Sequence, residues 1–134
     1  MTAVETASEI AEYLNGKEFA NSTLACEYKL IPEKDLASVR SLKAVVVPHT
    51  FRSALNRGGK DREIELDLGI MKRANESELE QLLTVAQAVG DAIEGKRFSC
   101  GVCMGVDYSP LYDVDAYLQT HVFLSVLNVR IKLF

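Results

Sequence analysis

Between Arg62 and Lys72, Ile64, Leu66, Leu68 and Ile70 alternate with Glu63, Glu65 and Asp67. This period of two predicts a strand with one face buried and a row of carboxylates on the other. The period then changes. Leu79, Leu82, Leu83, Ala86, Val89 and Ile93 recur at i, i+3 and i+4, which predicts an amphipathic helix over about 76–94 whose apolar stripe needs a sheet to cover it. Asn75 or Ser77 can cap this helix, since each has a glutamate three positions on, Glu78 and Glu80. Gly95 closes it, with Lys96 and Arg97 near the negative end of its dipole.

The remaining pattern supplies elements around this pair. Ile10, Ala11 and Leu14, followed by Asn15-Gly16, predict an N-terminal helix over about 3–15, at the edge of the core or at a subunit contact. Strands are expected at about 24–30, where Leu24, Cys26, Tyr28 and Leu30 alternate with polar residues, and at 42–48, where Ala44 to Val47 form a continuous apolar run of the doubly buried kind. One helical turn is expected over Glu33 to Ser38. Residues 49–61 read as a long polar loop, of the length associated with mobility or binding. A strand at 99–106 is punctuated by Gly101 and Gly105, which permit a bulge or close backbone approach, and ends at Ser109-Pro110. A short turn or helix spans Leu111 to Tyr117. A last strand at 119–133 starts centrally and ends projecting or at an edge. The fold class is therefore α+β, with a mostly antiparallel or mixed sheet of about five strands and two main helices on one face, in a single domain over 1–134.

Composition narrows the function classes. The chain has 134 residues, 48% hydrophobic and 25% charged, with a net charge of -4, ordinary globular values. An acidic balance argues against a salt-dependent grip on a nucleic-acid backbone. The N-terminal ten residues contain two glutamates and no lysine or arginine, unlike a signal peptide, and no apolar run reaches a membrane-spanning length. A soluble protein of a reducing compartment is expected, where its three cysteines need no partners.

The candidate chemical constellations each have a plainer alternative. Cys100-Gly-Val-Cys103 is a lone C-x-x-C; on a strand its thiols would point to opposite faces, and Cys26, His49 and His121 are too scattered to complete a zinc site. Ordinary buried thiols are expected. Glu63, Glu65 and Asp67 could hold magnesium for a small nuclease, with Glu27-Tyr28-Lys29 supplying an acidic-x-lysine element, but neither the preceding proline-aspartate pair nor a basic surface accompanies them. Arg57-Gly58-Gly59-Lys60 lacks the spacing and the Ser/Thr of a phosphate loop and reads as a tight turn. Arg52, Arg57 and Lys60 can still make this stretch a basic patch for an acidic neighbour. No serine or cysteine sits at a nucleophile turn beside His49 or His121. No catalytic residue, metal ligand or cofactor is assigned, and the chain is not expected to be an enzyme.

Lys43-Ala-Val-Val-Val-Pro48, the polar stretch into Asn56-Arg57-Gly58-Gly59, the strand Arg62 to Ile70, the helix Glu76 to Gly95 and the closing Phe123-Leu-Ser-Val-Leu-Asn-Val-Arg-Ile131 give the chain a pattern. Over roughly residues 24–134 it resembles the tail terminator or tail completion proteins, which join head to tail in long-tailed bacteriophages. The resemblance implies a subunit that assembles as a ring, typically a hexamer, on the tail tube, stops tube growth and presents a surface to the filled head. Its partners would be its own copies, the tail tube protein and a head completion or connector protein. DNA would be passing cargo and no membrane would be involved. It would reside at the head-proximal end of the tail in the virion, and in host cytoplasm during assembly. A closed ring needs two different complementary patches on each subunit. Candidates are Arg52, Arg57, Gly58, Gly59, Lys60 and Arg62 on one side and Glu63, Glu65 and Asp67 on the other. Alternatively the acids line the channel, where negative charge would repel DNA phosphates. Two other classes remain: a metal-dependent nuclease using the carboxylate row, and a host-encoded adaptor with no virion role.

Overall fold

The computed structural model describes residues 2–33, 35–108 and 110–134. Its elements in chain order are α1 (Thr2–Leu14), β1 (Glu18–Phe19), β2 (Ser22–Thr23), β3 (Ala25–Tyr28), β4 (Lys43–Asn56), β5 (Gly59–Arg73), α2 (Leu79–Ile93), β6 (Gly101–Tyr108), α3 (Val114–Thr120) and β7 (Val122–Leu133). Single 3-10 turns occupy Leu36–Ser38 and Glu76–Glu78. The main sheet has the order β3-β4-β5-β7-β6, antiparallel except for the parallel β3–β4 edge. The fold is α+β with a five-stranded mixed sheet.

One face of this sheet carries the core. Ala44 and Val46 of β4, Ile64 to Ile70 at alternate positions of β5, and Phe123, Leu127, Val129 and Ile131 of β7 form one buried cluster. Ala7, Ile10, Ala11 and Leu14 of α1 join it, as do Leu82, Val85, Ala86, Val89 and Ile93 of α2. Both helices thus cover the same face. The expected helix α1 belongs to this core, packed on β3 and β4. It is fixed at its end by Asn15, whose Oδ1 accepts the Cys26 N–H at 3.0 Å.

The capping box expected at the start of the helix caps the 3-10 turn Glu76–Glu78 that leads into α2, and α2 itself begins only at Leu79, with no side-chain cap bond of its own. Asn75 and Glu78 form the capping box, with the Glu78 carboxylate accepting the Asn75 N–H at 3.0 Å. That bond, together with Lys72, holds the Glu78 carboxyl below its ordinary pKa. At the other end Gly95 takes φ +78° and donates its N–H to the Cys103 carbonyl, so one left-handed residue both ends the helix and starts the return to the sheet. In β6 the glycines have the expected roles. The register shifts between Cys103 and Gly105, and a Cβ on Gly101 would lie 2.3 Å from the Lys132 carbonyl oxygen.

Several expectations need correction. Residues 49–61 are not a loop. They are the outer halves of β4 and β5, paired residue by residue from Thr50↔Glu65 to Asn56↔Gly59, with a bulge between Pro48 and Thr50. The ladder's backbone hydrogen bonds keep this arm regular where no core demands alternation. The strand expected at 62–72 therefore begins at Gly59. The 24–30 strand is only Ala25–Tyr28, and Leu30 is exposed. Gln119 and Thr120 belong to α3, and the last strand starts at Val122. Its end is flanked on both sides, Lys132 pairing with Glu63 and with Val102, so it lies at no edge. The expected turn at Glu33 to Ser38 is the 3-10 turn at its end, with Lys34 outside the described residues; Ser109, taken as part of a strand break, is outside them too.

Gly101→Ala should destabilise the domain by about 1–3 kcal/mol, because the added methyl meets rigid backbone of β7 and forces the strands apart. Denaturant unfolding with an unchanged m-value would show it, and wild-type stability would contradict the close approach.

Candidate functional site

The face of the sheet opposite the helices is the candidate site, together with the arm that extends it. Alternation along β5 places Glu63, Glu65 and Asp67 on this face, all half-buried, because Ile64, Leu66 and Leu68 turn into the core. Two strands bring cations beside them. Glu63 lies opposite Lys132 and Glu65 opposite Arg130 on β7, while Arg52 of β4 lies opposite Glu63. Arg52 Nη1 donates to Glu65 Oε1 at 3.0 Å, and Lys132 Nζ stands 3.1 Å from Asp61 Oδ1. Arg130 Nε is covered and lies 3.5 Å from Asp107 Oδ2, close enough for charge attraction but not aligned as a hydrogen bond. The guanidinium rests over Gly105, whose missing Cβ makes room for it. The carboxylate row is therefore one rail of a charge ladder spanning β4, β5, β7 and β6.

The face changes character along the strands. Above the ladder, Val45, Met71 and Val122 are buried with Val39 in a second, smaller cluster, against which Leu36, Val47 and Leu124 pack. The continuous apolar run of β4 is thus explained: Ala44 and Val46 face the helices and Val45 faces this patch. Glu33 beside it is held below the ordinary carboxylate pKa, first by its hydrogen bond with Lys43.

Of the residues singled out in the sequence, Arg57 and Gly58 form the turn at the arm's tip, between Asn56 and Gly59. Gly59 has φ +114°, and the Gly58 N–H donates to Asn56 Oδ1 at 2.9 Å, a local turn bond typical of asparagine. Lys60 and Arg62 follow on β5. Arg57, Lys60 and Arg62 have no ion-pair partner among the described residues. The structure brings Arg52 to the acid row, leaves Arg57 and Lys60 at the tip of the arm, and sets Arg62 midway along it, opposite Ser53. Sequence reasoning missed Arg130, Lys132 and the apolar patch. Their only signal was the alternation of Asn128, Arg130 and Lys132 at the same period as the acids.

The three cysteines are free; Cys26 and Cys103 are buried, and burial pushes the Cys26 thiol up to about 12 and raises that of Cys103. His121 sits in a left-handed conformation as the C-cap of α3. His49 lies at the bulge of β4. Among the described residues no group of three or more His, Cys, Asp or Glu side chains could hold a metal ion, and no helix is long and apolar enough to cross a membrane.

No protein-family model matches the chain, and no curated protein sequence matches it either. Among solved structures it is similar to a chain in the virion of a native gene transfer agent (GTA) particle, with a TM-score of 0.61 and 15% identity, over 99% of this chain and 98% of that one. At that identity the likeness establishes a shared fold across the full length of both.

Glu65→Lys would set like charges against Arg130 and beside Arg52, and is expected to cost about 1 kcal/mol at low salt. Thermal melts at low and high ionic strength test this, since screening should shrink the difference; a salt-independent change would mean that the ladder is not electrostatic.

Proposed function

We propose that this chain is a structural subunit of a phage-like virion and acts as a tail-terminator-like ring at the head-to-tail joint. The single observation that carries this reading is the end-to-end likeness to a chain of the GTA virion, with nearly the whole length of each covered. The sequence pattern resembling tail terminators and the form of the candidate site support it. A half-open sheet face and a long exposed arm are surfaces for assembly. A ring is built from one heterologous contact repeated until it closes, so each subunit needs two unlike surfaces. This one has them.

The charge ladder bears on which surface faces DNA. Glu63, Glu65 and Asp67 would form a negative channel wall only if left unmatched, and Arg52, Arg130 and Lys132 stand among them. We therefore assign this face, with Arg57, Gly58, Gly59, Lys60 and Arg62 of the arm, to contacts between subunits. The tail tube protein and a head completion or connector protein would meet the ring's two ends, and DNA would pass through as cargo. The hexameric count and the head-proximal location come from the resemblance alone.

Light scattering on the purified protein, with negative-stain images, tests the ring. Closed rings of uniform diameter are expected at high protein concentration or on added tail tubes. A monomer under both conditions would overturn the assignment, and divalent-metal-dependent DNA cleavage would replace it with the nuclease reading.

A further inference from the structure

The apolar patch on the open face is a groove. It encloses about 380 Å³ between Pro32, Glu33 and Leu36 on one side and the sheet on the other, over Val45, Val47, Met71, Leu124 and Val126. Its rim is acidic, with Asp67 and Glu33, and carries His49. Glu33 is already paired with Lys43, whereas Asp67 has no ion-pair partner among the described residues. Val126 at its floor is exposed.

One side of the arm has the opposite character. Register pairs Leu55 with Lys60, Ser53 with Arg62 and Phe51 with Ile64, so Phe51, Leu55, Lys60 and Arg62 share one side of the ribbon. That side is apolar and cationic. Leu55 is 82% exposed and Phe51 50% exposed, high for large apolar side chains held on a regular, hydrogen-bonded ribbon.

The two surfaces complement each other in apolar character and charge, but they cannot meet within one chain. Val45 in the groove and Asn56 at the tip belong to one uninterrupted strand, about 35 Å apart at ~3.3 Å per residue. We infer that the tip of one copy's arm, led by Leu55, seats in the groove of a second copy, with Lys60 and Arg62 facing Asp67. The contact deepens the ring reading, on which it rests for its closure: it is heterologous, and repetition around an axis yields a ring. It also reassigns the receiving surface from the ladder at Glu63 and Glu65 to the groove above it.

Disulfide trapping tests the pairing. In a Cys100→Ser background the remaining native thiols, Cys26 and Cys103, are buried. Leu55→Cys and Val126→Cys proteins, mixed and mildly oxidised, are expected to give a heterodimer, and the double variant a ladder of covalent oligomers. Leu55→Asp should reduce the assembled fraction at least tenfold with an unchanged melting temperature, since the side chain is exposed. Leu118→Cys on the exposed, acidic α3 surface serves as an alternative acceptor. Rings without a 55–126 adduct, or trapping of Leu55→Cys by Leu118→Cys instead, would overturn the contact and leave the ring standing. A 55–126 adduct from a protein that never closes into rings would keep the contact and remove the ring. Neither adduct nor assembly would overturn both.

Discussion

The continuous pairing of β4 with β5 is the constraint on which the rest depends. From Lys43↔Met71 to Phe51↔Ile64 the ladder lies over the core, and from Arg52↔Glu63 to Asn56↔Gly59 it runs on beyond it. The inner half is fixed by burial of Ala44, Val46, Leu66, Leu68 and Ile70. The outer half borrows that order. A two-stranded ribbon is at best marginal alone, but one whose strands continue a packed sheet needs only its own ladder and turn to stay in register. The bulge between Pro48 and Thr50 lies just ahead of this change. Bulges increase local twist and bend the strand, which re-aims the arm relative to the sheet.

This division explains how much was legible in the sequence. Where one face is buried, the residues announce the element. The alternation at Ile64 to Ile70, the helical stripe from Leu79 to Ile93, and the Asn75–Glu78 capping box all read directly. The outer arm is wet on both sides, so Thr50 to Arg62 carries no hydrophobic period and resembles a loop. Its remaining signal was Asn56-Arg57-Gly58-Gly59, a turn for a hairpin whose strands were not recognised. Nor could a single strand reveal its neighbours. The acids on β5 were visible, but Arg130 and Lys132 stand beside them only because β7 inserts between β5 and β6.

The site is therefore a product of topology. With α1 and α2 on one face, the other face divides into a charge ladder and an apolar groove. The ladder supplies specificity of register more than stability, since opposite charges across strands contribute only about 0.2–1 kcal/mol each. The groove and the arm tip leave apolar surface uncovered on the chain. Such surface, rimmed by matching charge, is the usual mark of a protein interface.

Removal of the arm shows whether the hairpin beyond the core carries the assembly. Replacing residues 53–62 with a two-residue Asn-Gly turn closes the ladder at Arg52↔Glu63 and leaves Ile64, the rest of the core and the β5–β7 pairing in place. A folded protein with native circular dichroism is expected, monomeric by light scattering under conditions where the full chain assembles. Assembly of the shortened protein into the same rings would contradict that role of the hairpin.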